Sequence, residues 1–353
     1  MKPFGPSSTL FALIPAMIGC SSTAALADAD RGLKTCLAEV IEQSNFHGVA
    51  AIGDKNEIRA TFAIDRENGE TGTFTIETRF NVGSMYKMIT AVAIGQLVDA
   101  GLFEFSDTLG DHMSDIPDSF KSITVEQLLT HTAGTGNYRT PSNMQAVASH
   151  KSVDDLLPLV FEQDPQEADG FAYSNSGFIV LAALIEAITD ERYEIYTQTN
   201  ILDEAGMKHT GLMRDQETAK NYTRLSPGAS PGQTQPSPDA HLRESAFSPP
   251  RGMPAGGGYS TAGDLYRFAR ALENNVLLSA ETHKVMTDSK ILIRDGRGGP
   301  VHYGYGFILR ENGELYGHGG GAPGINGELL IHTDDDWIVS TLTNIDPPTA
   351  SRT

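Results

Sequence analysis

Cysteine is almost missing from this chain: 353 residues hold two, Cys20 and Cys36. Cys20 falls in an N-terminal export segment, so Cys36 has no partner in the mature protein and no structural disulfide is available. Leu33, Leu37 and Val40 surround Cys36 at helical spacing, which makes it a small buried apolar residue. Basic residues are in deficit: 26 Lys and Arg face 45 Asp and Glu, a formal net charge of −19. A phosphate backbone would be repelled, which excludes nucleic acid as a partner. The helix pattern His-Glu-x-x-His is absent and no histidines pair at metal spacing, so neither a metal nor another cofactor is expected. Beyond residue 27 no apolar run approaches the length of a membrane span, and no repeat recurs at solenoid periods.

What is present begins with targeting. Lys2, the apolar run Leu10 to Gly19 and the small residues Ala25-Leu26-Ala27 before Asp28 form a signal peptide over residues 1–27. Met17-Ile18-Gly19-Cys20 also resembles a bacterial lipobox, which offers lipidation of Cys20 as the alternative. Either route carries the protein out of the cytoplasm, to the periplasm or beyond. Removing residues 1–27 from 353 leaves 326, enough for a large core.

Along the mature chain, Asp30 to Ser44 reads as an amphipathic helix. His47 to Gly53 and Glu57 to Ile64 read as a hairpin turning at Asp54-Lys55-Asn56, and Thr73 to Phe80 as a further β-rich stretch. A helix over Ile89 to Ala100, opening near Ser84, ends at Gly101. Thr124 with Gln127 has the form of a capping box for a short helix to His131, and Ser152 with Asp155 opens another. Gly177 to Thr189 is apolar enough for a buried helix, and Tyr193 to Ala205 follows as a fourth. Residues 226–254 are rich in Pro, Gly and Ser and read as a long surface loop. Helices over Thr261–Glu273 and Ser279–Met286 then interrupt a return of β-character, with strands near Gly306–Arg310, Gly313–Gly317, Gly327–His332 and Trp337–Thr343. Sheet-forming segments thus flank a helical insert. The expected class is α/β: one lobe, about 30–105 and 255–353, has a sheet flanked by helices, and the other, about 106–254, is all-helical.

Three short patterns carry chemistry. Ser84-Met85-Tyr86-Lys87 places a hydroxyl and an amine one turn apart on one face, a nucleophile with its own base. Tyr173-Ser174-Asn175 stands at a loop-to-helix junction, where a partly ionised phenol near an ammonium can shuttle a proton and an amide can orient a substrate. Gly317-His318-Gly319-Gly320-Gly321 lies between two candidate strands, where glycines allow close approach to backbone N–H groups that can hold an oxyanion. His209-Thr210-Gly211 spells His-x-Gly too, but lies too early. Ser260 belongs to a turn before a helix capped by Thr261, and His131 serves a helix C-terminus.

In order and spacing these patterns resemble the serine penicillin-recognising hydrolases: class C β-lactamases, D-alanyl-D-alanine carboxypeptidases, D-aminopeptidases and related esterases. Phe80-Asn81-Val82-Gly83-Ser84 through Lys87, Leu128 to Gly134, and Pro254 to Thr261 extend the resemblance, which spans about residues 36 to 346. It implies a β-lactamase/DD-peptidase-like fold with a central antiparallel sheet. It also implies an acyl-enzyme on Ser84, with Lys87 as base and Tyr173 as proton shuttle. Asn175, His318 and Gly320 would contact substrate, and the N–H groups of Ser84 and Gly321 would form the oxyanion hole. The implied partner is a small-molecule or peptide substrate, an ester or amide. Two departures stand out. Many β-lactamases carry lysine where His318 stands, and a histidine only partly protonated near neutral pH holds a carboxylate less well. The family also usually closes with a helix beside the N-terminal one, which Asp346 to Thr353 with Pro347-Pro348 is too short to supply. The loop around Asn137-Tyr138 and residues 226–254 are expected to border the site and set substrate choice.

Overall fold

The computed structural model describes residues 46–65, 74–167, 169–216, 218–224, 242–245, 249–295 and 299–346. The export segment, the expected helix Asp30–Ser44 with Cys36, most of the expected loop 226–254 and residues 347–353 lie outside them. Among the described residues no helix is long and apolar enough to cross a membrane.

Strands β1 (Gly48–Gly53) and β2 (Ile58–Ile64) form the expected hairpin. Asp54 Oδ1 closes its turn by accepting from the N–H groups of Asn56 and Glu57 at 2.7 and 3.1 Å. Strands β7 (Ile291–Arg294), β8 (Val301–Tyr303), β9 (Ile308–Arg310), β10 (Leu315–Ala322), β11 (Ile325–His332) and β12 (Trp337–Thr343) complete one sheet, in the order β2-β1-β12-β11-β10-β9-β8-β7. Every pairing in it is antiparallel, and β1 lies on β12 from Gly48↔Thr343 to Gly53↔Ile338. Segments near both ends of the chain therefore close a single sheet, as a β-lactamase/DD-peptidase-like α/β fold requires.

Helix α1 (Lys87–Asp99) follows a 3-10 turn at Gly83–Tyr86. Short helices α2 (Leu109–His112), α3 (Asp118–Lys121), α4 (Val125–Leu129), α5 (Met144–Ser149) and α6 (Leu157–Phe161) precede the long α7 (Asn175–Thr189). Then come α8 (Tyr193–Thr197), α9 (Ala262–Glu273) and α10 (Ala280–Met286). Helices α1 and α7 are buried on nearly all sides and pack on each other, the expected fate of helices apolar all round. Phe178 to Leu184 are each 0–5% exposed. At roughly 1.5–3 kcal/mol for each large side chain, that run anchors the residue that starts the helix, Asn175. The amphipathic α9 packs on β1 and β12, capped as expected by Thr261 Oγ1 accepting from Asp264 N–H at 2.9 Å.

Several expected elements differ. Thr73 to Phe80 is not a strand over its described part: Thr75 and Thr78 lock a turn through Thr75 N–H to Thr78 Oγ1 at 2.8 Å, and only β3 (Phe80–Asn81) pairs, with β6 (Tyr259–Ser260). Asp155 accepts from the N–H groups of Lys151 and Ser152, holding a turn, and the helix waits until Leu157. The expected helix Tyr193–Ala205 widens into a π-helix at Gln198–Asp203. Within 226–254, Leu242–Glu244 forms β5, paired with β4 (Tyr222–Arg224), and Tyr222 bridges to Ile345 beside the main sheet. The most consequential difference is β10. Its first half was expected to stop at Gly317, but pairing with β11 continues to Ala322, so the glycine run is strand rather than turn.

Candidate active site

Ser84 sits in the 3-10 turn, three residues before the α-helix begins, not in its first turn. The shift leaves the sequence logic intact, because side chains three apart in a 3-10 turn eclipse. Asn81 Oδ1 shapes the entry by accepting from Gly83 N–H at 2.9 Å. Two walls then close on the turn. From one side, a Cβ on Gly320 would stand 2.0 Å from the Val82 carbonyl oxygen. From the other, a Cβ on Gly256, whose φ is +144°, would stand 2.8 Å from the Gly83 carbonyl oxygen. The glycines of both late motifs are thus there to let backbone meet backbone around Ser84. The Gly321 nitrogen lies beside Gly83, on the exposed end of β10.

Lys87 is completely buried. Its Nζ donates to Asn175 Oδ1 at 2.7 Å and to the Ala255 carbonyl oxygen. Burial, and then the nearby Arg139 guanidinium, hold its pKa well below the usual lysine value. The rings of Tyr173 and Phe178, 4.8 and 5.3 Å from Nζ to centroid, oppose this by favouring a cation. Burial prevails: it disfavours the charge by up to roughly 4–7 kcal/mol, against about 0.5–2 kcal/mol for a cation over a ring. A neutral amine has two protons and one lone pair. Among the described residues both protons have acceptors, and the lone pair is left over.

Tyr173 is 42% exposed, with its hydroxyl buried beside Ser84. The expectation of a partly ionised phenol is corrected: burial of the hydroxyl pushes its pKa up to about 12, so the phenol keeps its proton. Asn175 is the first residue of α7, held there because Ser174 caps the helix by accepting from Gly177 N–H at 3.1 Å. The structure thus brings Ser84, Lys87, Tyr173 and Asn175 together, with Gly320 and Gly321 alongside.

His318 is placed differently from expectation. It is 3% exposed, its Nδ1 lies 2.6 Å from the Gly319 carbonyl oxygen and its Nε2 lies 2.8 Å from the Tyr303 hydroxyl. Burial, with Lys87 nearby, lowers its pKa to about 3, so it is neutral rather than partly protonated. Two residues that the sequence reading left out of the site complete this side. Tyr303 also meets His131 Nε2 at 3.2 Å, and His131 Nδ1 accepts from Ser174 N–H at 3.0 Å. His131 does follow the end of α4, with φ of 58°, but its ring serves the Tyr173-Ser174-Asn175 turn and not the helix carbonyls. A signal was available: His131 lies within the Leu128 to Gly134 segment already set apart. The rejected residues stay apart from the site. His209 is half-exposed beside Glu77, and Ser260 is buried against Thr210.

A serine on a tight turn beside a neutral amine, a phenol and an amide, on an antiparallel sheet backed by helices, is the arrangement of a class of serine hydrolases. Residues 33–353 match the Beta-lactamase family, and the chain belongs to it. It is 24% identical over 328 residues to a penicillin-binding protein of Bacillus subtilis (strain 168), a match covering 88% of this chain and 71% of the relative. It is also 24% identical over 317 residues to the teichoic acid D-alanine hydrolase of Staphylococcus aureus, covering 86% of this chain and 72% of that one. Among solved structures, a penicillin binding protein from Bacillus halodurans aligns with a TM-score of 0.75 at 25% identity, over 90% of this chain and 96% of the other.

Proposed function

We propose that the protein is an exported serine hydrolase that cleaves an ester or amide through an acyl-enzyme on Ser84, with D-alanyl esters and D-amino-acid peptides as the substrate class. The observation that carries this is the neutral, buried Lys87 whose protons are engaged and whose lone pair is not, one turn from Ser84. As Ser84 Oγ bonds to the substrate carbonyl carbon, its proton passes to Lys87, and the oxyanion accepts from the N–H groups of Ser84 and Gly321. Tyr173, a neutral phenol at Ser84, gives its proton to the leaving oxygen or nitrogen as that bond breaks, and Lys87 replaces it. Water then repeats the sequence on the acyl-enzyme, its proton leaving by the same route and Ser84 recovering its own. Asn175, whose Nδ2 makes no hydrogen bond among the described residues, is placed to orient the substrate amide. The class of substrate is supported by the teichoic acid D-alanine hydrolase among the relatives.

The test incubates the mature protein and a Ser84→Ala variant with p-nitrophenyl acetate and butyrate, a D-alanyl ester, a D-Ala-D-Ala peptide and nitrocefin. Turnover of the D-alanyl compounds, lost in the variant, is the expected result. Turnover that survives the substitution, or none with any compound, defeats the reading, and nitrocefin as the best substrate replaces it with a β-lactamase. Persistent acylation of Ser84 by penicillin without release would make the protein a binder.

A further inference from the structure

One cavity reverses the sign of this acidic protein. It measures about 480 Å³ and is lined by none of Ser84, Lys87, Tyr173, Asn175 and His318; Tyr86 is the one residue of the nucleophile turn in its wall. Backbone pairing fixes one wall. Gly211 exchanges bonds with Tyr259 of β6 at 3.0 and 2.8 Å, Gly252 N–H donates to the Leu212 carbonyl at 2.7 Å, and Arg214 N–H donates to that of Pro250 at 3.0 Å. Helix α8 supplies another, with Glu194 and Ile195. Four cationic side chains, Arg79, Lys208, Arg214 and Arg251, line the cavity against two carboxylates, Glu194 and Asp215. Both carboxylates are already paired: Asp215 with Arg79, and Glu194 Oε1 with Arg251 Nη2 at 3.0 Å and with Arg192. His209 also lines it, 3.7 Å from Glu77. Lys208 and Arg214 pair with no carboxylate among the described residues, which leaves an excess of two positive charges. Arg79 adds a donor. Its side chain is 14% exposed, its Nη2 donates to the Met213 carbonyl at 2.9 Å, and its Nε is buried with no acceptor among the described residues. Buried donors are nearly always paired, so this N–H calls for an oxygen from outside the chain. Beside the cations stand two large apolar side chains open to solvent, Ile195 at 50% and Met213 at 55% exposed.

We propose that this cavity is a second binding site, separate from the acyl-transfer centre, for a phosphate monoester that carries an apolar substituent. A phosphate monoester holds close to two negative charges at neutral pH, which matches the two uncompensated cations, whereas a carboxylate or a sulfate ester matches only one. Its terminal oxygens offer acceptors for Arg214, Lys208 and the Arg79 Nε–H. The substituent covers Ile195 and Met213, apolar surface that is otherwise in water. The volume lies within the roughly 300–1,000 Å³ of small-molecule sites, and the paired wall is already formed, so binding orders little chain. A nucleic acid would meet the repulsion of the whole molecule, at a net charge of −19, but a small ester does not.

The experiment titrates hexyl phosphate into the mature protein by calorimetry at neutral pH and low salt, beside hexyl sulfate and inorganic phosphate. Hexyl phosphate is expected to bind best. Hexyl sulfate, with one charge, should bind about 10-fold more weakly, and inorganic phosphate, without the chain, roughly 10- to 100-fold more weakly. This comparison needs no variant. Arg214→Gln and Lys208→Gln, at half-buried and exposed positions, should melt like the wild type without ligand and each bind hexyl phosphate about 10-fold more weakly. Ser84→Ala should bind it unchanged. A second arm sediments the protein with vesicles of phosphatidic acid or of phosphatidylcholine. Sedimentation with phosphatidic acid alone, lost in Arg214→Gln, makes a lipid headgroup the source of the phosphate; hexyl phosphate binding without sedimentation makes it a soluble ester. No binding of hexyl phosphate at millimolar concentration, equal affinity for hexyl sulfate, or binding that survives both substitutions overturns the proposal. Loss of binding in Ser84→Ala does so too, because it puts the ester in the catalytic cleft. Turnover that does not depend on Ser84 would defeat the hydrolase reading and leave these titrations to decide the second site.

Discussion

Lys87 and His318 are both basic side chains buried within the site, and burial holds both neutral, yet their hydrogen bonding differs. Lys87 is neutral because burial makes its charge expensive, and among the described residues its two amine protons have acceptors while its lone pair has no donor. His318 is neutral because burial, with Lys87 nearby, disfavours its charge, and its ring nitrogens are both engaged, by the Gly319 carbonyl and the Tyr303 hydroxyl. Neutrality with unused capacity suits a base that must take a proton and return it. Neutrality with no unused capacity suits a strut. The same low-dielectric surroundings therefore give one side of the site chemistry and the other side geometry.

The largest break in that comparison comes from removing the reactive member. Lys87→Met should keep the packing of α1 and lower kcat/KM by roughly 10²- to 10⁴-fold, the range for loss of a general base, measured with the D-alanyl ester. Next is Gly320→Ala, whose Cβ would meet the Val82 carbonyl oxygen at 2.0 Å. Moving the nucleophile turn by about 1 Å should lower activity about 10²-fold while circular dichroism stays native-like, and full activity would show that β10 does not brace the turn.

The pH dependence separates the two sides more finely. For activity, Lys87 must be neutral and Tyr173 protonated, so kcat/KM should rise through the lowered lysine pKa, below 10.5, and decline only near 12. An acid limb abolished by His318→Gln would assign that limb to the wrong side. His318 ionises near 3 in the folded protein and near 6.5 unfolded, so between those values the unfolded chain binds a proton that the folded chain does not. Stability should thus fall as pH drops below 6.5, by about 1.4 kcal/mol per pH unit for this histidine. His131, also shifted down, adds in the same direction. Urea titrations at pH 6.5, 5.5 and 4.5 measure the slope, and a flat profile would mean that neither ring is held neutral. The smallest effect is expected at Thr124→Ala. It removes one half of the reciprocal capping box with Gln127 and should cost about 1 kcal/mol without moving the pH profile of activity.

The hairpin at Asp54, the capped helices at Thr124 and Thr261 and the buried α7 were legible because their signals are local: a turn residue, a capping pair, an unbroken apolar run. Ser84, Lys87, Tyr173 and Asn175 were legible for a related reason, since spacing within one turn or at one helix start places each pair. His131 and Tyr303 were not, because they are 172 residues apart and each alone looks like an ordinary buried polar residue. Strand β10 was cut short in the reading because glycine is a poor strand former by itself. Its extension comes from eight register pairs with β11 and from the closeness of the Ser84 turn, neither of which lies in the glycine run.

By itself the sequence determined which groups could react and in what order they come, since motif spacing and helix rules act over a few residues. Only the tertiary structure decided their protonation. Whether Lys87 is an amine or an ammonium, Tyr173 a phenol or a phenolate, and His318 a cation or a strut depends on desolvation and hydrogen-bond partners, which distant segments supply when they pack.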